Sequence, residues 1–244
     1  WIWKPPDYTK DYLVCADVSR GDATDYSAFH VIDIDNLEQV AEYKGKIGTK
    51  DFGNLLVNVS QEYNNALLVV ENASIGWAAI QQCIDRDYEN LFYMSKDLQY
   101  VDTQKQMTNK IYGQEKQMVP GFTISQKTRP LLIAKLESYM REQSIIIRSS
   151  RMMTELDTFI WKNGKAEALG GYNDDLTLAL AIGLWVRDTA LRLRLEGIEL
   201  NKQMLNNISG KYTKAVFTSD SQKEKDAWEI DVGQEKEDIR WLLG

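Results

Sequence analysis

Two adjacent carboxylates, Asp174 and Asp175, stand directly before the small apolar run LTLALAI. One acid at a helix start is explained by capping, because its oxygen accepts unpaired backbone N–H groups of the first turn. A second acid beside it, with no Lys or Arg within four residues, is not required for capping. The pair therefore indicates either an ordinary capped helix or a functional site that contains several carboxylates. The positions of the other acids in the chain distinguish these two interpretations.

Two further acids end apolar runs that are typical of buried strands. Asp17 ends YLVCAD, and Glu71 follows ALLVV. Ligands bind at the carboxyl ends of strands in an open sheet, so a parallel pairing of these strands would place Asp17 beside Glu71. A helix packed across the sheet could bring Asp175 to the same place. Carboxylates that meet without basic partners repel one another unless a cation lies between them.

A hard divalent cation, Mg²⁺ or Mn²⁺, suits an all-carboxylate site because it prefers oxygen ligands. Two such ions can activate a water and stabilise the leaving oxygen in phosphodiester hydrolysis. A single acid at the end of a strand is usually structural. Three such positions together favour a metal-dependent phosphodiesterase site.

The elements that must position these acids follow the order of a mixed α/β protein. Three strands form an antiparallel meander, and a helix then leads to a strand that pairs in parallel, which predicts a mixed sheet flanked by helices. The predicted strands are 11–19, 25–35, 39–47, 66–73 and 91–96. The predicted helices are 50–63, 74–87, 128–143, 152–161 and 174–193, with a hairpin at 162–169 and a long polar loop at 97–127.

Composition and charge limit the classes of protein to which this chain can belong. The formal net charge is −7, and no apolar run approaches the roughly 18 residues of a membrane span. Cys15 and Cys83 lack metal-binding spacing and are expected to be reduced core residues. Residues 96–165 nevertheless carry 12 basic against 7 acidic residues, whereas residues 220–244 carry 4 against 8. This asymmetry permits a nucleic-acid partner for the middle of the chain.

Four segments in this order and at these separations resemble the nuclease domain of the large terminase of tailed phages. They are VCADVSRGDATDYSAFHVID, LLVVENASIGWAAI, TISQKTRPLLIAKLESYM and FIWKNGKAEALGGYNDDLTLALAI. The resemblance covers residues 11 to about 190. It implies a ribonuclease H-like fold and an endonuclease that cuts concatemeric double-stranded DNA during genome packaging.

Carried over by position, the resemblance makes Asp17, Glu71 and Asp175 the catalytic metal ligands, with Mg²⁺ or Mn²⁺ as cofactor and two ions expected. Asp174 would cap the helix or hold the second ion. Asp25 matches a further acid near the metals, although an acid in a hairpin turn is nearly as good an explanation. The lone His30 lies in mid-strand and is expected to be structural.

The basic middle of the chain would supply a surface that follows DNA through phosphate contacts. The candidates are Lys127, Arg129, Lys135, Arg148 and Arg151, and Lys105, Lys110 and Lys116 of the long loop could clamp the duplex. The resemblance further implies an N-terminal ATPase motor, a small terminase and a portal as partners. It also implies the host-cell cytoplasm as location and no membrane.

The expected domains are a linker remnant at 1–10, the nuclease domain at 11–193, and a polar tail at 194–244 that is partly helical or disordered. The first residue is Trp, which suggests a fragment, and no phosphate-binding glycine loop with the G-x-x-x-x-G-K-[ST] spacing is present. Three alternatives remain open: a resolvase-like or integrase-like nuclease of the same fold, a non-catalytic docking module of the packaging motor, and an ATPase of the actin and sugar-kinase kind.

Overall fold

The computed structural model describes residues 1–20, 25–73, 75–95, 118–162, 165–189, 229–232 and 235–238. The chain divides into two compact units, Trp1–Leu193 and Arg194–Gly244. Among the described residues, no helix is long and apolar enough to cross a membrane.

The first unit is built on a four-stranded sheet with the order β3-β2-β1-β4. Its strands are β1 (Tyr12–Asp17), β2 (Ser27–Asp33), β3 (Glu38–Gly45) and β4 (Leu67–Val70). Strands β1, β2 and β3 pair antiparallel, and β4 runs parallel to β1. This is the mixed α/β sheet, three antiparallel strands followed by a parallel one, that the sequence predicts.

Helices cover both faces of the sheet. Helices α1 (Thr49–Glu62) and α2 (Gly76–Asp85) pack on one face, and α3 (Thr128–Arg141) and α5 (175–189) pack on the other. Alternate residues of a strand point to opposite faces, so β1 contributes Val14 to one core and Cys15 to the other. Both cysteines are buried and free, as predicted.

The remaining elements of this unit lie between α2 and α5 in the chain. Strand β5 (Tyr93–Ser95) pairs antiparallel with β6 (Met118–Pro120). Helix α4 (Ser150–Asp157) precedes the hairpin of β7 (Phe159–Lys162) and β8 (Lys165–Ala168), which confirms the hairpin expected at 162–169.

One local prediction is wrong. The helix expected over 152–161 ends at Asp157, because the run FIWK pairs with β8 and its aromatic and β-branched residues favour a strand. Trp161 in that strand is exposed. Lys105, Lys110 and Lys116 of the predicted loop lie outside the described residues, as does Ser74, the first residue of the helix predicted over 74–87.

Two glycines set how closely helices approach the sheet. A Cβ at Gly183 of α5 would lie 2.5 Å from the Cys15 sulfur of β1. A Cβ at Gly76 of α2 would lie 1.8 Å from the Glu71 carbonyl oxygen. Only glycine permits these approaches, so both positions fix helices against the strand ends that carry the candidate acids.

The chain begins along the edge of the sheet. The Trp3 backbone N–H donates to the Val40 carbonyl at 2.8 Å, and Ile2 forms a bridge with Ala41 of β3.

In the second unit, the described residues are β9 (Glu229–Val232) and β10 (Glu235–Asp238), which pair antiparallel. The tail at 194–244 was expected to be partly helical or disordered, and these two strands were not predicted. The run EIDV alternates charged and apolar residues, which is the period of a strand.

Candidate functional site

Asp17 and Glu71 lie side by side at one edge of the central sheet. The Glu71 backbone N–H donates to the Ala16 carbonyl at 2.9 Å, continuing the parallel pairing of β4 with β1. The prediction that these strand ends are neighbours is therefore confirmed.

Burial and like charge both act on these two acids. Burial raises the pKa of Asp17 well above its usual range, and the nearby charges of Glu71, Asp175 and Asp174 raise it further. Burial also raises the pKa of Glu71, although its hydrogen bond with Asp17 and the charge of Arg129 act in the opposite direction. The sheet edge is thus a place where negative charge is costly without a compensating cation.

Asp175 is the first residue of α5. This helix packs on the face of the sheet that is opposite to α1 and α2. Its carboxylate accepts the Tyr26 backbone N–H and the Asn173 amide, both at 3.3 Å. The residue is only 8% exposed, and burial raises its pKa while Lys44 lowers it. The charge of Asp175 in turn raises the pKa of Asp17, as expected of two carboxylates that lie near each other.

Asp174 directly precedes α5, and its backbone carbonyl accepts the Leu178 N–H at 2.8 Å, as expected of an N-cap residue. Its Oδ2 is paired with the Arg129 guanidinium at 2.6 Å. The Thr177 backbone N–H, in the first turn of α5, donates to Glu155 at 2.9 Å. An acid on another helix therefore contributes to capping α5.

The prediction that these carboxylates lack basic partners is wrong. Arg129 pairs with Asp174, and the Lys44 Nζ lies 3.4 Å from the Asp175 Oδ2. Neither base lies near the acids in sequence, which is why an inspection of neighbouring residues finds none.

Lys44 and Glu155 are the two residues of this region that the sequence analysis missed. Both have largely buried side chains, and they form an ion pair with each other. Glu155 is the one acid on the buried side of α4, beside Met152. That pattern marks a buried carboxylate in a short amphipathic helix, but it does not identify the partner.

Asp25 is exposed and directly precedes Tyr26, a hydrogen-bond partner of Asp175. Its carbonyl accepts the Ser19 hydroxyl, and the next residue, Tyr26, donates its N–H to Asp175. The structure thus brings the segment of Asp25 to the candidate site.

The five basic residues predicted to contact DNA have different surroundings. Lys127 is exposed at the start of α3, next to Arg129. The other three form ion pairs elsewhere in the first unit: Lys135 with Asp188, Arg148 with Glu38 and Arg151 with Glu42. A paired base offers less charge to a phosphate, so exposed Lys127 has the strongest claim, and Arg129, which pairs with Asp174, lies next to it. His30 is fully buried against the Leu176 carbonyl, as expected for a structural histidine.

Carboxylate oxygens are the ligands that Mg²⁺ and Mn²⁺ prefer, so the chemistry of this cluster fits such ions. Within the described part of the chain, however, no three His, Cys, Asp or Glu side chains are arranged to hold an ion. Lys44 and Arg129 pair with oxygens of Asp175 and Asp174, and burial among other acids raises the pKa of Asp17. Ion binding would therefore require these carboxylates to exchange a proton or a basic partner for the ion.

Comparison with solved structures finds large terminase nucleases of thermophilic phages. The nuclease of phage G20c, in a structure with bound magnesium, has a TM-score of 0.56 and 16% identity over 75% of this chain and 85% of that chain. The nuclease domain of Thermus phage P74-26 has a TM-score of 0.53 and 19% identity over 75% and 82%. Other structures of the G20c nuclease contain cobalt or zinc.

No sequence-family model matches the chain, and the likeness to these structures is one of fold. The first unit has their mixed sheet flanked by helices, and its candidate acids lie at one edge of that sheet. This chain thus has the fold of phage large terminase nuclease domains, the ribonuclease H-like fold that the sequence resemblance implies.

Proposed function

We propose that this chain is the metal-dependent endodeoxyribonuclease domain of a phage large terminase and cuts concatemeric double-stranded DNA during genome packaging. The observation that carries the proposal is that Asp17 and Glu71 end two paired strands at one sheet edge, while buried Asp175 lies near enough for its charge to act on Asp17. The fold shared with large terminase nucleases supports the same assignment.

In this proposal Asp17, Glu71 and Asp175 hold Mg²⁺ or Mn²⁺, two ions in all, with Asp174 and Asp25 as further ligands. Bound divalent ions supply an activated water and stabilise the charge that develops on the phosphodiester. The chain's own residues prepare the cluster. The backbone pairing of Glu71 with Ala16 keeps Asp17 and Glu71 adjacent, and Tyr26 and Asn173 position the Asp175 carboxylate.

Arg129 and Lys127 would bind the DNA backbone next to the cluster. Arg129 contacts the Ala166 carbonyl and Asp174, so its guanidinium is fixed at the border of the site. Lys127 is exposed two residues before it. Lys135, Arg148 and Arg151 have acidic partners as Arg129 does, and each of the four would offer its full charge to a phosphate only by releasing that partner.

The proposal is tested by incubating the protein with supercoiled plasmid in Mg²⁺, Mn²⁺ or EDTA. Asp17→Asn, Glu71→Gln and Asp175→Asn keep the shape of each side chain and remove its charge, so each is expected to lower cutting by at least about a hundredfold. Asp51→Asn, in the first turn of α1, is the matched control and should cut like the parent. Cutting in EDTA, or undiminished cutting by all three variants, contradicts the proposal.

A four-way DNA junction as a second substrate separates the remaining alternatives. Strong preference for the junction would favour a resolvase-like nuclease. Metal binding without cutting of either substrate would favour a docking module. In the full-length protein, we propose that the domain works in the host-cell cytoplasm with an ATPase motor, a small terminase and a portal.

A further inference from the structure

Lys44 is a largely buried lysine that stands within the acidic cluster. Its side chain is 14% exposed, and its Nζ pairs with Glu155 and lies 3.4 Å from the Asp175 Oδ2. The Nζ also lies 5.1 Å from the centre of the Tyr26 ring, whose backbone N–H donates to the same Asp175 oxygen. One ammonium group is thus the counter-charge of two buried carboxylates.

Glu155 has its second oxygen engaged as well. Its Oε2 accepts the Thr177 backbone N–H at 2.9 Å and the Thr177 hydroxyl at 3.2 Å. Thr177 is two residues after Asp175 in the first turn of α5. Lys44 and Glu155 therefore connect β3 and α4 to the turn that carries a proposed metal ligand.

We propose that Lys44 is a resident cation of this site: it neutralises and positions Asp175 when no divalent ion is bound, and it competes with that ion for the carboxylate. The proposal rests on the proposed function, because it assumes that Asp175 is a metal ligand. Lys44 acts through Asp175 and is a positioning residue.

The competition follows from charge. Without a cation, Glu155 and Asp175 would be two buried, like-charged groups, which is costly in a protein interior. An arriving divalent ion must share Asp175 with the ammonium group of Lys44. Repulsion between a monovalent and a divalent cation at one carboxylate corresponds to roughly a tenfold loss of affinity, even at the dielectric constant of water. Lys44 thus stabilises the cluster when no divalent ion is bound, and the same charge lowers the affinity of the site for that ion.

The matched control is Lys46, two residues further along the chain. It is exposed, and its Nζ lies 5.5 Å from the centre of the same Tyr26 ring. Lys44→Met and Lys46→Met therefore make the same change of charge beside the same ring. Only the first removes the counter-ion of Glu155 and Asp175.

Mn²⁺ affinity is measured by titration calorimetry at pH 8, and the melting temperature is measured in EDTA and in saturating Mn²⁺. Lys44→Met should bind Mn²⁺ about tenfold more tightly than the parent. Its melting temperature should be lower than that of the parent in EDTA, and saturating Mn²⁺ should raise its melting temperature by more than it raises that of the parent. Lys44→Arg keeps the charge and should restore the parental affinity. Lys46→Met should match the parent in all three measurements.

Unchanged or weaker Mn²⁺ binding by Lys44→Met, with the parent binding normally, overturns the proposal. If the parent itself binds no divalent ion, the proposed function fails instead. Should Lys44→Met unfold in EDTA, Lys44→Gln is measured in parallel. Folding of these variants only with Mn²⁺ supports exchange of one cation for another, and failure to fold in both conditions refutes it.

Discussion

Gly183 offers the sharpest test of how the fold positions the candidate site. It lies in α5, eight residues after Asp175, where the helix packs on β1. An added Cβ would lie 2.5 Å from the Cys15 Sγ, 3.0 Å from the Cys15 Cβ and 3.3 Å from the Ile32 Cδ1. Ordinary contacts are about 3.5–4.0 Å, so Gly183→Ala must push helix and strand apart by about 1 Å.

The expected magnitude follows from two opposing effects. Overpacking of a close-packed core costs about 1–3 kcal/mol, and alanine gains about 1 kcal/mol over glycine in a helix interior. Gly183→Ala should therefore lower the free energy of unfolding by up to about 2 kcal/mol. Because Asp175 lies roughly 12 Å along the same helix, its displacement should also reduce nuclease activity by about tenfold or more.

A double-mutant cycle in urea isolates the cause. Cys15→Ala removes the sulfur that the new methyl group meets, so Gly183→Ala made in that background should be neutral or stabilising by up to about 1 kcal/mol. The coupling should exceed the ~0.5 kcal/mol expected of independent sites. Gly170→Ala is the control, since its Cβ would meet no atom within 4 Å. Equal destabilisation by Gly183→Ala in both backgrounds would refute this account of the contact.

Three further changes test other parts of the structure. Gly76→Ala places a Cβ 1.8 Å from the Glu71 carbonyl, a clash no side chain can relieve, so it should lower plasmid cutting and the melting temperature together. Gln39→Ala removes the acceptor of the Arg148 and Ser149 backbone N–H groups and should cost about 2–4 kcal/mol in urea unfolding. Burial would raise the pKa of Asp33, but hydrogen bonds from Lys10 and Asn36 lower it below 3.8. The stability that Asp33 contributes is therefore present above pH 3.8 and lost as pH falls through its lowered pKa, so unfolding of Asp33→Asn should depend less on pH below that value. An identical pH dependence in the parent and Asp33→Asn would contradict the assignment.

The local sequence pattern was sufficient to predict that Asp17 and Glu71 meet at one edge of the sheet. The apolar runs that end at Asp17 and Glu71 have the composition of buried strands, and the helix between them makes parallel pairing the expected arrangement. Their contact could therefore be predicted without coordinates. The helix that starts at Asp175 was likewise visible from its small, apolar residues.

The partners of the acids could not be predicted in the same way. Lys44 meets Glu155 across 111 positions, Arg129 meets Asp174 across 45, and Tyr26 meets Asp175 across 149. No periodicity or spacing connects such residues, because each contact depends on how α3, α4 and α5 pack on the sheet. The prediction of a helix over 152–161 was wrong for a related reason. Phe159–Lys162 forms a strand because it pairs with β8, and that pairing is a tertiary contact.

The sequence by itself determined the order of strands and helices and the placement of Asp17, Glu71 and Asp175 at their ends, because these follow from the local alternation of apolar and polar residues. Tertiary structure alone decided which charges surround those acids: a lysine and an arginine from distant elements neutralise two of the carboxylates. Charge in a folded protein acts through space rather than along the chain, so the electrostatic character of the site arises only when the helices pack.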